Sequence, residues 1–148
     1  MGESYRIRPA RRDDVGFLAD VSRAVSRDRA TGFDEDEWRT GFAEWTVETL
    51  ADTSVVELAG ERVGRLRIRR TAEVVELCGI QLDPGAQNRG IGTAIIRELQ
   101  AEVAADGVPL ELGVEKDNAD ARRLYERLGF AKVGESETEY KLRWAEEG

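Results

Sequence analysis

Hydrophobic positions along this chain change period several times, and each change marks an element. Residues 4–8 read as a short strand stopped at Pro9. Asp13 or Asp14 then caps a helix whose apolar face runs through Val15, Leu18, Val21 or Ser22, and Val25. Thr31 and Gly32 break the chain. A second helix is expected from about Asp34–Asp36, with Trp38, Phe42 and Trp45 on one face. The period then falls to two. Residues 53–59 and 63–70 form a hairpin about a Gly60-Glu61 turn, and 73–82 is a third strand ended by Asp83-Pro84-Gly85. Gly90-Ile91-Gly92 opens a helix with Ile91, Ile95, Leu99 and Val103 along one side, closed at Asp106-Gly107. Residues 109–115 are a strand. Asp117 or Asn118 starts a helix through Leu124 and Leu128 with Gly129 at its end, and strands 130–133 and 138–144 complete the pattern. The order β-α-α-β-β-β-α-β-α-β-β predicts an α/β (α+β) fold. Its mixed, mostly antiparallel sheet has six to seven strands and about four flanking helices.

Composition narrows the chemistry. The 148 residues suit one compact domain, and neither a linker nor a repeat divides them. There is no histidine, which removes imidazole bases and histidine metal ligands, and no metal is expected. Cys78 is the sole cysteine, so intrachain disulfides and CxxC pairs are excluded; its ordinary role is a small buried hydrophobe. The net charge of −8 disfavours nucleic acid or an anionic membrane as partner. The opening MGESYRIRPA carries no apolar run of signal-peptide length, and the expected location is the cytoplasm.

The segment Gln87-Asn88-Arg89-Gly90-Ile91-Gly92-Thr93 joins a strand to a helix. Unpaired N–H groups and the positive end of the helix dipole make such a junction a phosphate site. Gly90 and Gly92 let the backbone close on phosphate oxygens without a Cβ in the way. Two phosphate motifs are excluded by letter: no lysine follows Gly92, as a P-loop demands, and GxGxxG would need a small residue where Ile95 stands.

A different pattern fits. Gln87-x-x-Gly90-x-Gly92 after Leu82-Asp83-Pro84 resembles the Q/R-x-x-G-x-G/A pyrophosphate loop of acetyl-CoA-binding GNAT acyltransferases. Asn118, Tyr125 and Leu128-Gly129-Phe130 are similar to that superfamily's N…LY…LGF segment. The resemblance covers nearly the whole chain, and it implies an N-acetyltransferase with acetyl-CoA as co-substrate. It implies that backbone N–H groups from Gln87 through Asn88, Arg89, Gly90 and Gly92 to Thr93 hold the pyrophosphate. Pantetheine would lie where strands 74–82 and 109–115 part, paired with the main chain around Ile80 and Leu82. Asn118 is either a ligand to the cofactor arm, a helix N-cap, or both. Arg89, Arg122 and Arg123 are candidates to face the polyanion, or plain surface charges.

The implied reaction is attack of an amine on a thioester. At pH 7 only about one in a thousand molecules of an amine of pKa about 10 is neutral, a handicap of about 4 kcal/mol. Without histidine the base must be a carboxylate or water. Glu76 stands where a number of family members carry a glutamate base, and it needs burial to serve; Glu73 and an ordered water are the competitors. Tyr125 matches a tyrosine that relatives use toward the departing CoA thiolate, here as a hydrogen-bond donor. Cys78 has no activating base, so direct attack in a ternary complex is expected.

The amine acceptor is not encoded as a motif. The resemblance assigns residues 10–50 to the acceptor cleft, which Trp38, Phe42 and Trp45 either line or support as core. Arg65, Arg67 and Arg69 share one face of a strand; they form either an anion site or a solvated face balanced by acids. A non-catalytic acyl-CoA sensor and transfer of a different acyl group are the alternatives, and a homodimer is compatible with the family.

Overall fold

The computed structural model describes residues 4–26 and 34–146. Its elements follow the expected order: β1 (Tyr5–Pro9), α1 (Val15–Ser26), α2 (Glu35–Glu48), β2 (Thr53–Leu58), β3 (Glu61–Arg70), β4 (Val75–Leu82), α3 (Ile91–Asp106), β5 (Leu110–Glu115), α4 (Ala119–Arg127), β6 (Ala131–Glu135) and β7 (Glu139–Trp144). The Thr31-Gly32 break and the side chain of Val25 lie outside the described residues. The seven strands form a sheet in the order β1-β2-β3-β4-β5-β7-β6. The β1–β2, β2–β3, β5–β7 and β6–β7 ladders are antiparallel, and β4–β5 is parallel. Among the described residues, the expected mixed, mostly antiparallel sheet with about four helices is therefore what forms.

Contacts divide the chain into two compact units. One comprises Met1–Arg67 with Gly79–Gly92, the other Ile68–Cys78 with Thr93–Gly148.

In the first unit, Pro9 is the last residue of β1 and not the first beyond it. It pairs opposite Ser54 at the end of an edge strand, where a missing N–H costs little. Asp14 caps from the third position of the 3-10 turn Arg12–Asp14 that leads into α1, not as the N-cap residue. Its carboxylate, 1% exposed, accepts from the Arg11 N–H as in a capping box, and also from Arg8 and Arg62. Asp34 does cap α2, accepting from the N–H groups of Asp36 and Glu37. The β2–β3 turn sits at Ala59-Gly60, one residue earlier than expected. Both residues have positive φ (53° and 83°), which matches the twist of a two-residue hairpin. The core here gathers Ala10, Leu18 and Val55, with Phe17, Phe42 and Leu50 packed against it.

In the second unit, β4 begins at Val75 and not at 73. Thr71 Oγ1 donates to the Val74 carbonyl and accepts from the Glu73 and Val74 N–H groups, holding 71–74 as a turn. Ile95, Leu99 and Val103 of α3 are buried, as are Leu77, Leu110, Leu112 and Leu142 of the strands. Gly107, at φ 70°, ends α3, and Gln100 Nε2 donates to the Leu128 carbonyl at 2.8 Å.

Candidate active site

The first unit contains the strand-to-loop junction. The β4–β5 ladder covers three pairs, Val75 to Leu77 against Leu110 to Leu112, and β4 runs on past it to Leu82. In that continuation Ile80 and Leu82 send their Cδ1 atoms toward Gly92, while Gly79 and Gln81 face Arg65. The main chain then turns sharply. Asp83 Oδ1 accepts from the Gly85 N–H, and a 3-10 turn, Pro84–Ala86, follows. Gln87 Nε2 donates to the Leu82 carbonyl at 2.9 Å, so the glutamine side chain fastens the loop to the strand end. Its own N–H is directed at the Pro84 carbonyl, at 3.4 Å. Gln87 thus serves as a brace as well as a candidate ligand.

Asn88 and Gly90 take φ of 62° and 80°, and Ile91 begins α3. Left-handed residues on either side of Arg89 turn main-chain N–H groups toward one concavity, and the first turn of a helix has no intrahelical acceptors for its own. Gly90 is required for its backbone conformation. Gly92 is not: an added Cβ would meet only Ile80 and Leu82 methyls at 4.0 Å. The residues from 87 to 90 are exposed, as an anion site at a helix entry needs to be.

The second unit carries the other expected groups. Asn118 caps α4, its Oδ1 accepting from the Ala121 N–H at 3.2 Å. Tyr125 lies on α4 with its ring edge-on to Phe130 at 5.8 Å. Burial pushes its phenol above the ordinary value, so the hydroxyl keeps its proton. Leu124 and Leu128 are half-buried, and α4 has no fully buried residue; Phe130, just beyond it, is the buried anchor.

Glu76 does not meet the burial a glutamate base needs. Its side chain is 45% exposed and pairs with Arg69 at 3.3 Å. Glu73 sits exposed in the turn before β4. Across the ladder from Glu76 stands Glu111, a carboxylate the sequence reading passed over. Burial pushes Glu111 toward the neutral form, but hydrogen bonds from Arg143 and Lys141 outweigh it and hold the group below the usual carboxylate range. It is a structural ion pair. Arg122 stacks on Tyr140 at 4.2 Å and pairs with Glu126, and Arg123 pairs with Asp120. Among the described residues no cluster of three or more carboxylate or cysteine side chains is arranged to hold a metal, and no helix is long and apolar enough to cross a membrane.

Residues 18–130 match the sequence profile of the acetyltransferase (GNAT) family. The chain belongs to the GNAT family. An uncharacterized N-acetyltransferase of Methanocaldococcus jannaschii is 29% identical over 142 residues, covering 86% of this chain and 61% of that protein. The N-alpha-acetyltransferase RimI of Mycobacterium tuberculosis is 39% identical over 71 residues, 48% of this chain and 44% of that one. A mycothiol acetyltransferase of Beutenbergia cavernae is 46% identical over 59 residues, 39% of this chain and 20% of its own length. The matches thus span less than two thirds of each of these relatives. Among solved structures, the PaiA N-acetyltransferase of Thermoplasma acidophilum, crystallised with coenzyme A, superposes with a TM-score of 0.76 over 97% of this chain and 99% of that one, at 16% identity. An N-acetyltransferase from Staphylococcus aureus gives 0.76 over 94% and 100%, at 17% identity. At such identities the likeness is one of fold.

On the acceptor side of this GNAT chain, the aromatic stripe of α2 is core only in part. Phe42, half-buried, packs against Ala10, Leu18 and Val55, whereas Trp38 is half-buried, Trp45 is 40% exposed and Thr46 is the buried residue of that helix. The arginines of β3 are not a solvated face. Arg65 is 4% exposed and the Arg67 side chain 11%; only Arg69 stands in solvent. Alternation fixed their common face, but nothing local to β3 shows that the aromatic side chains of α2 cover it.

Proposed function

We propose that residues 1–148 act as one N-acetyltransferase domain that transfers acetyl from acetyl-CoA to a primary amine in a ternary complex. The observation that carries this reading is the β4–α3 junction, where Gln87 is braced on Leu82 and Asn88 and Gly90 are both left-handed, in a chain whose family profile spans both units. A coenzyme A complex of a protein with this fold supports it.

In this reading the main-chain N–H groups from Asn88 through Thr93 hold the pyrophosphate, Gln87 keeps their loop in place, and the β4 main chain around Ile80 and Leu82 pairs with the pantetheine arm. Asn118 Nδ2 adds a donor to that arm. The amine nitrogen attacks the thioester carbonyl carbon, the tetrahedral adduct collapses, and the C–S bond breaks to release CoA thiolate. The protonated phenol of Tyr125 donates a hydrogen bond to the departing sulfur. Because Glu76 is half-exposed and paired with Arg69, the amine proton leaves through water to solvent.

The experiment is a thiol-release assay with acetyl-CoA over amine classes. Acetyl-CoA-dependent release that rises with one class of amine, with acetylated amine appearing in equal amount, is the expected result. Tight acetyl-CoA binding with no turnover of any class would leave a binding module and overturn the enzyme reading.

A further inference from the structure

The first unit holds a cluster that the acetyl-transfer reading does not use. Arg65 and Arg67 alternate along β3 and both guanidiniums stack on Trp45, with Cζ atoms 5.0 and 5.2 Å from the ring centroid; Arg65 also lies 5.7 Å from the Phe42 ring. Arg65 is fixed from the other side. Its NH1 donates to Gln81 Oε1 at 2.8 Å, and a Cβ at Gly79 would stand 3.0 Å from that nitrogen, so a glycine there makes room for the guanidinium. Arg67 NH2 lies 4.0 Å from Asp52 Oδ2, beyond hydrogen-bond distance, and the Arg67 Nε is buried with no acceptor among the described residues. Two cations gathered on one aromatic ring are a local exception in a chain of net charge −8.

Stability alone gives a poor account of this arrangement. Desolvating a guanidinium nitrogen without an acceptor is costly, and two like charges beside one ring repel. Both costs fall when an oxyanion binds. Arginine forks match carboxylate and phosphate geometry, and stacking on Trp45, itself 40% exposed, fixes the plane in which the forks lie. The position also suits an acceptor. Gly79 and Gln81 face Arg65, while their alternate neighbours Ile80 and Leu82 face Gly92, so the cluster meets the β4 segment that carries the acetyl group in the proposed reaction.

We infer that the acceptor is an amine bearing an oxyanion, a carboxylate or a phosphate, which Arg65 and Arg67 bind over Trp45. The inference rests on the acetyltransferase reading above. Polyamines and other wholly cationic amines are excluded by the same two charges.

The test has a binding arm and a turnover arm. In the first, the melting temperature of the protein without acetyl-CoA is measured with amino acids, their carboxamides, phosphoethanolamine and spermidine. Carboxylate- or phosphate-bearing amines raise it and the neutral or cationic ones do not; the larger shift identifies which oxyanion the site takes. In the second, kcat/KM for anionic amines exceeds that of the carboxamides by about 10- to 100-fold, the range of a hydrogen bond to a charged group. Arg67→Gln abolishes both preferences through KM, and Arg67→Lys, which keeps the charge but loses the fork, restores part of them. No thermal shift with any anionic amine overturns the inference, as does equal or better turnover of spermidine or carboxamides. A preference unchanged in Arg67→Gln overturns it too. If acetyl-CoA neither binds nor is consumed, the acetyl-transfer reading fails by itself, and the binding arm still reports on the anion site.

Discussion

Gln87 Nε2 donates to the carbonyl of Leu82 at 2.9 Å, so the first residue of the glycine loop is tied to the last residue of β4. The bond closes a six-residue turn in which Asp83 already fastens Gly85. A loop held in its binding shape before the ligand arrives loses less entropy on binding. Replacing Gln87 by Ala removes one neutral hydrogen bond, worth about 1 kcal/mol. The account predicts an acetyl-CoA Kd raised about fivefold with little change in melting temperature, read by titration and by thermal unfolding of the same preparation.

The two loop glycines separate conformation from space. Gly90 sits at φ 80°, where an L side chain costs about 1–2 kcal/mol, so Gly90→Ala lowers unfolding stability by that amount as well as affinity. Gly92→Ala meets only methyls at 4.0 Å and leaves stability unchanged or slightly raised. With the pyrophosphate held against the Gly92 main chain as proposed, the added methyl group lowers acetyl-CoA affinity. A Gly92→Ala variant with unaltered affinity would remove the second glycine from the site.

Tyr125→Phe keeps the ring against Phe130 and deletes the hydroxyl. The expected result is kcat lower by about 100-fold with KM for acetyl-CoA nearly unchanged, the signature of a donor used in the transition state. Because burial raises the phenol above its ordinary value of 10, the proton stays on through the usual assay range. The pH–rate profile of the wild-type protein therefore shows no loss from phenol ionisation below about pH 10.

Acid stability is governed elsewhere, at Asp14. Hydrogen bonds from Arg8, opposed by burial and aided by the Arg11 N–H and Arg62, hold this carboxyl far below the carboxylate range. A depressed folded-state pKa contributes stability that is fully present above the unfolded value of about 4 and lost as pH falls toward the folded one. Glu102, held down by Arg70 against the opposing effect of burial, adds in the same sense. Denaturation midpoints are thus expected to hold level through neutral pH and decline below pH 4. Asp14→Ala, which removes two hydrogen bonds from Arg8 and leaves its pairing with Glu57 at 2.9 Å, costs about 1–3 kcal/mol at neutral pH.

What the sequence made legible was whatever is decided locally. Strand and helix periods gave the element order, and Gly90 marked the tight loop before α3, whereas the left-handed Asn88 was not signalled. Asn118 was readable as a cap because capping is a bond between residues three apart. What it hid depends on covering elements far away in the chain. The face shared by Arg65 and Arg67 follows from alternation, but their burial depends on Trp45 and Phe42 of α2, some twenty residues earlier. Glu76 is readable as a strand residue, whereas its pairing with Arg69 depends on how β3 and β4 lie together. The shift of the β4 start to Val75 comes from a threonine hydroxyl competing with the ladder at Thr71, a bond that no apolar pattern signals.

The most direct measurement is a calorimetric titration of the protein with acetyl-CoA, beside CoA and an adenosine nucleotide that lacks pantetheine. The account predicts micromolar binding of acetyl-CoA, tighter than that of the nucleotide, because the loop takes the pyrophosphate and the β4 main chain takes the arm. No heat and no thermal shift with any CoA species would contradict it, reducing the glycine loop to a helix entry and the family likeness to one of fold.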